Sequence, residues 1–172
     1  MNYFELFGLE PNFFINEAEL SSKLRALLNA SHPDRFASSG SQQQMIAMQK
    51  TTQLNDAFAV LKHPVRRAQY LLELKTGIDA TKEVTVKDPM FLMQQLELRE
   101  QLETIIEQKN VSDLINFSDN IELMADSQRD ELAQEFEQVE WNTQSIQTAI
   151  YKLQFLYKTL ADIEAAEDKL LD

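Results

Sequence analysis

Leu20-Ser21-Ser22-Lys23-Leu24-Arg25-Ala26-Leu27-Leu28-Asn29-Ala30-Ser31-His32-Pro33-Asp34-Arg35 carries the pattern from which the rest of the fold follows. Leu20, Leu24, Leu27 and Leu28 recur at helical spacing, so residues from about 17 to 31 are expected to form a helix with one buried face. Arg25 and Asn29 project away from that face and Lys23 lies on its flank, which leaves the outward side mildly basic. Pro33 stops the helix, because it disfavours helical geometry in His32 and removes a donor from the next turn. Downstream, Ala47, Thr51, Leu54, Phe58 and Leu61 line one side of a second helix, about Ser41 to Leu61. The expectation is two antiparallel helices flanking an exposed His32-Pro33-Asp34 loop. Pro64 at a first helical position opens a third helix carrying Arg66, Arg67, Tyr70 and Leu74. Tyr3, Phe4, Leu6, Phe7 and Leu9 supply an apolar lid.

Glycine and charge divide the 172-residue chain in two. All three glycines lie within the first 77 residues, and after Pro89 there is neither glycine nor proline. Residues 1–75 carry eight basic and seven acidic side chains, whereas 76–172 carry eight and 21. Between the halves, Thr76 to Asp88 lacks helical periodicity. It begins at a plausible glycine C-cap and ends in Asp88-Pro89, an N-cap followed by proline. The reading is an N-terminal domain at 1–75, a linker at 76–88 and a helical C-terminal domain at 89–172. β-Branched alternation is confined to Val84 to Val86, so the fold class is all-α.

Three long helices are expected in the C-terminal part. On the first, Phe91, Leu98, Leu102 and Ile105 define a core face, while Leu92, Met93 and Leu96 point about 100° to 200° away from Phe91, sharing that half with Glu97, Glu100 and Glu103. The second, from about Ser112 to Val139, has Leu114, Phe117, Ile121, Met124, Leu132 and Phe136. The third, from about Thr143 to Leu170, buries Ile146, Ala149, Ile150, Leu153, Tyr157, Leu160 and Ile163, with Phe155 and Tyr151 on its outer side. Leu92, Met93, Leu96 and Phe155 would either pack on a neighbouring element or form a client-binding patch.

Composition removes several function classes. There is no cysteine and only two histidines, which leaves no disulfide, no thiolate metal site and no Cys nucleophile. A net charge of −12 argues against nonspecific nucleic-acid binding, which draws on a basic surface. No stretch approaches the roughly 20 apolar residues of a bilayer crossing, and the acid in Met1-Asn2-Tyr3-Phe4-Glu5 does not suit a signal peptide, so a cytoplasmic protein with protein partners is expected.

The order of Tyr3 to Gly8, an amphipathic helix, His32-Pro33-Asp34-Arg35, Leu54-Asn55-Asp56-Ala57-Phe58-Ala59-Val60-Leu61, then Pro64, Arg67 and Tyr70, resembles a J-domain. The resemblance implies that the loop and the helix before it dock on a DnaK-type ATPase chaperone and stimulate its ATPase. His32, Pro33, Asp34 and Arg35 would make the contact, with Lys23 and Arg25 supplying charge complementarity. Met90 to Glu100, Arg67-Ala68-Gln69-Tyr70-Leu71-Leu72 and the Lys169-Leu170-Leu171-Asp172 ending further resemble the HscB family of iron–sulfur co-chaperones.

That narrower resemblance implies that the C-terminal bundle binds the cluster scaffold IscU and that the J-domain presents it to the chaperone HscA. Leu92, Met93, Leu96, Glu97, Glu100 and Phe155 match the family's scaffold-contact positions. The next acidic contact position falls on Thr104, beside Glu103. No cofactor, metal site or catalytic residue is implied. The rival readings are a general folding co-chaperone, a plain helical adaptor, and an enzyme using His32 and Asp34 as base and orienter. The last lacks a nucleophile, a phosphate loop and a metal set.

Overall fold

The computed structural model describes residues 1–82 and 86–172, which form seven α-helices and no strand. In order these are α1 (Tyr3–Leu6), α2 (Glu17–Ser31), α3 (Ser41–Lys62), α4 (Pro64–Thr76), α5 (Pro89–Glu107), α6 (Val111–Glu137) and α7 (Thr143–Leu171). They fall into two compact units, Met1–Ala80 and Thr81–Asp172. The β-branched alternation expected around Val84 lies, at 83–85, outside the described residues.

Capping chemistry sets the helix starts. Asn2, Asn16, Asp88, Asn110 and Asn142 each accept a hydrogen bond from the backbone N–H three residues on. Each satisfies one of the orphan donors of a helix N-terminus. Pro64 and Pro89 occupy first-turn positions, where the missing donor has no cost. At the C-terminus of α4, Gly77 has φ +76 and donates to the Glu73 carbonyl, a left-handed cap that a side chain would strain.

In the first unit, α2 and α3 form the expected helical hairpin. Phe4, Leu20, Leu54, Leu61 and Leu72 are fully buried between the helices, each contributing about 1.5–3 kcal/mol of hydrophobic stabilisation. The buried face of α2 is narrower than its leucine spacing suggests: Leu20 alone is buried, and Leu24, Leu27 and Leu28 are half-exposed. Helix α2 packs chiefly on α3, and a single neighbour does not cover a full stripe. The α1 lid is pinned to α4: Tyr3 and Tyr70 stack at 4.6 Å, and the Tyr3 backbone N–H donates to the Tyr70 hydroxyl at 2.9 Å.

Arg67, which composition alone would place on the surface, is only 4% exposed. Its guanidinium donates to the Leu61 carbonyl at 2.7 Å, satisfying an acceptor in the last turn of α3, and lies 5.0 Å from the centre of the Phe13 ring. One side chain thereby ties α3, α4 and the segment before α2 together. Burial, and behind it the charges of Arg66 and Arg67, lowers the pKa of the neighbouring His63.

The second unit is a three-helix bundle. Helices α6 and α7, each about 40 Å long at the α-helical rise, pack most closely and bury Leu114, Ile121, Leu132, Ile146, Leu153 and Ile163 completely. Their turn is sealed by Trp141, whose indole N–H donates to the Phe136 carbonyl while the two rings meet edge-on at 4.9 Å. Helix α5 buries Phe91, Leu98, Leu102 and Ile105 as its periodicity requires, and also Gln95, which that periodicity did not mark. Tyr157 and Leu160 of α7 stay half-exposed.

Replacing Arg67 with Ala should destabilise the first unit by about 2–4 kcal/mol, the sum of an orphaned buried carbonyl, a lost cation–π contact and a cavity. Native-state hydrogen exchange of α3 and α4 amides measures it. Unchanged protection there would mean that the guanidinium contributes nothing to the clamp.

Candidate functional site

Two surfaces carry the residues marked by the sequence. The first is the junction of α2 and α3. Pro33 forces His32 into extended geometry, φ −61 and ψ 133, and so ends α2 at Ser31. Residues Pro33–Phe36 then form a single 3₁₀ turn, closed by the Arg35 N–H donating to the His32 carbonyl at 3.0 Å. The turn runs into Gly40, whose φ of +95 lets the chain enter α3.

Within that turn the Asp34 backbone N–H donates to His32 Nδ1 at 3.2 Å, while an Asp34 carboxylate oxygen lies 3.5 Å from the same nitrogen. The shorter backbone contact requires an unprotonated Nδ1. The His32 side chain is 55% exposed, so the ring is open to a partner. The Asp34 side chain is 93% exposed, so both carboxylate oxygens can accept a bidentate pair. His32 and Asp34 are thus brought together at one exposed point. Arg25 and Arg35 are exposed, whereas Lys23 is half-buried and paired with Glu19 at 3.1 Å, which offsets part of its charge.

The second surface lies on α5. Leu92, Met93 and Leu96 are 52%, 63% and 58% exposed, and Glu97 and Glu100 stand beside them in solvent. An apolar cluster of this size, kept out of the core by helix geometry, is uncommon on a soluble monomer. Phe155 differs from the sequence expectation. It is half-buried, its ring edge-on to Phe91 at 5.7 Å, and Tyr151 takes the other flank of Phe91 at 5.9 Å. The two residues were expected on the outer side of α7, but that side is where the start of α5 packs. Thr104 turns its hydroxyl back to the Glu100 carbonyl at 2.9 Å, and Glu103 is exposed next to it.

The orientation of α5 is fixed at its first turn. Asp88 caps the helix through the Phe91 N–H at 3.1 Å and pairs with Lys152 of α7 at 3.1 Å. The Lys152 ammonium also lies 5.5 Å from the centre of the Phe91 ring. Lys152 was not singled out from the sequence; an isolated lysine on a helix gives no such signal. Among the described residues no three His, Asp or Glu side chains gather as a metal site, and no helix is long and apolar enough to cross a membrane.

Residues 87–164 match the family model described as the HSCB C-terminal oligomerisation domain. Relatives described as co-chaperone protein HscB homologs in Aliivibrio salmonicida (strain LFI1238) and Vibrio campbellii (strain ATCC BAA-1116) are 41% and 40% identical over 172 residues, with 99% of both chains covered. The solved chaperone HscB from Vibrio cholerae aligns with a TM-score of 0.84 and 39% identity over 99% of each chain. Human co-chaperone HscB gives a TM-score of 0.84 over 97% of this chain and 82% of its own, at 21% identity, a likeness of fold.

The backbone N–H of Phe91, followed by the hydrogen bond from Lys152, holds the Asp88 carboxyl below the usual carboxylate pKa. A depressed folded-state pKa stabilises α5 above the unfolded value, and that stabilisation is lost as pH falls through the folded one. A carboxyl NMR titration should find Asp88 low, and Lys152→Ala should move it up towards the ordinary value. An ordinary value indifferent to that substitution would contradict the pairing.

Proposed function

The chain belongs to the HscB family of co-chaperones, and from that premise we propose that it brings the iron–sulfur scaffold IscU to the DnaK-type chaperone HscA and stimulates the chaperone's ATPase. The first unit is the J-domain in this reading, docking through His32, Pro33, Asp34 and Arg35 with Arg25 and Lys23 steering the encounter. The second unit binds the scaffold through Leu92, Met93, Leu96, Glu97, Glu100 and Phe155. The chain itself is not an enzyme in this account. It raises the rate of another protein's hydrolysis by binding.

The observation that carries the reading is the presence on one chain of two exposed surfaces of opposite chemistry. One is a small polar turn with an exposed imidazole and an exposed carboxylate, the latter suited to a partner's arginine. The other is an adaptable Leu–Met patch beside carboxylates, suited to a protein face that is apolar with a basic border.

Asp34→Asn removes charge without changing shape. It should lower chaperone ATPase stimulation about tenfold or more, since a hydrogen bond to a charged group contributes about 1.5–3 kcal/mol. Its affinity for IscU should stay as in the parent chain. Single-turnover hydrolysis and calorimetry make the two measurements, and full stimulation by Asp34→Asn would overturn the docking assignment.

Conversely, Leu92→Ala and Leu96→Ala should each weaken IscU binding about fivefold or more, the signature of an interface anchor. Both residues are exposed, so helicity and melting temperature should barely move. IscU affinity within twofold of the parent for both variants would mean that the patch is not the scaffold surface.

A further inference from the structure

An open groove of about 770 Å³ runs between α5 and α6. It begins at the α5 patch, because Met93 and Glu97 line it as well. Its far wall belongs to α6, where Leu123 is 68% exposed, and Met90, 83% exposed, stands at its mouth. Glu97 on one wall and Glu131 on the other have no ion-pair or hydrogen-bond partner among the described residues. Among the described residues the one cation lining it, Lys152, is already paired with Asp88. The groove is therefore apolar along its rims and negative within.

We infer that this groove is a second contact for the scaffold protein, taking a basic segment of it whose apolar side chains meet Met90, Met93 and Leu123 while its cations meet Glu97 and Glu131. The inference rests on the proposed binding of the scaffold to α5 and extends that surface onto α6. Two features select this occupant. The groove is continuous with the α5 patch through Met93 and Glu97, so a protein seated on the patch already covers one wall. A second copy of this chain is the competing occupant, since the family model over residues 87–164 is described as an oligomerisation domain, but 76–172 carry 21 acids against eight bases and self-association here would set acid against acid.

Calorimetric titration of the full chain with IscU at low and at physiological ionic strength tests this, using Leu123→Ala, Glu131→Gln and, as reference, Leu96→Ala. The α6 variants should each weaken binding about three- to tenfold, with Glu131→Gln also flattening the salt dependence. Circular dichroism should be unchanged, because both side chains are exposed. If Leu96→Ala weakens binding and both α6 variants bind within twofold, the groove is not a scaffold contact and the α5 reading stands. If the parent chain does not bind IscU, the α5 reading falls and the groove with it. Self-association seen by sedimentation and lost in Leu123→Ala, with IscU binding untouched, would overturn the inference in favour of a homodimer surface.

Discussion

One aromatic ring decides what the second unit can display. Phe91, in the first turn of α5, is gripped by Tyr151 and Phe155 at its edges and by the Lys152 ammonium, while Asp88 holds the same lysine from the helix cap. With that turn anchored, the 100° step of the helix leaves no freedom: Leu98, Leu102 and Ile105 follow Phe91 inward, and Leu92, Met93 and Leu96 must face out. A helix with apolar residues on two faces can bury only one against a pair of neighbours. The surplus stays exposed, and in the proposed function it is the surface that binds the scaffold.

In the first unit the corresponding constraint is a proline. Pro33 denies His32 a helical backbone, and the 3₁₀ turn that follows brings the imidazole and the Asp34 carboxylate to one exposed point. The turn is presented on a frame whose rigidity comes from elsewhere, from the Arg67 clamp and the Tyr3–Tyr70 stack. In the proposed function, placing this turn and the α5 patch on one polypeptide makes the encounter of HscA and IscU intramolecular in effect, and a raised effective concentration favours their contact without any new bond. Charge divides along the same line. Residues 1–75 are near neutral, with Arg35 in the turn itself, and 76–172 carry 21 acids against eight bases.

Much of this was legible in the sequence because it is written in local chemistry. Asp88-Pro89 and His63-Pro64 announce helix starts, Gly77 announces a stop, and the angular spacing on α5 separates Phe91 from Leu92, Met93 and Leu96 without reference to any neighbour. What was not legible depends on partners distant in the chain. Periodicity places Arg67 on α4 but does not mark it as buried, which depends on Phe13 and the Leu61 carbonyl beside it. Tyr151 and Phe155 read as outward until α5 covers them, and the groove has no sequence signature because its walls come from two helices. Periodicity also overstated the burial of Leu24, Leu27 and Leu28, since it reports the direction a residue faces and not whether anything lies there.

The central claim is that the two surfaces act only when joined. It is tested by single-turnover ATP hydrolysis by HscA in the presence of IscU, comparing the parent chain with an equimolar mixture of a His32→Ala variant and a Leu96→Ala variant. The account predicts synergistic stimulation by the parent and little by the mixture, since each variant retains one surface and no molecule has both. Full synergy from the mixture would contradict it, because the surfaces would then work without sharing a chain.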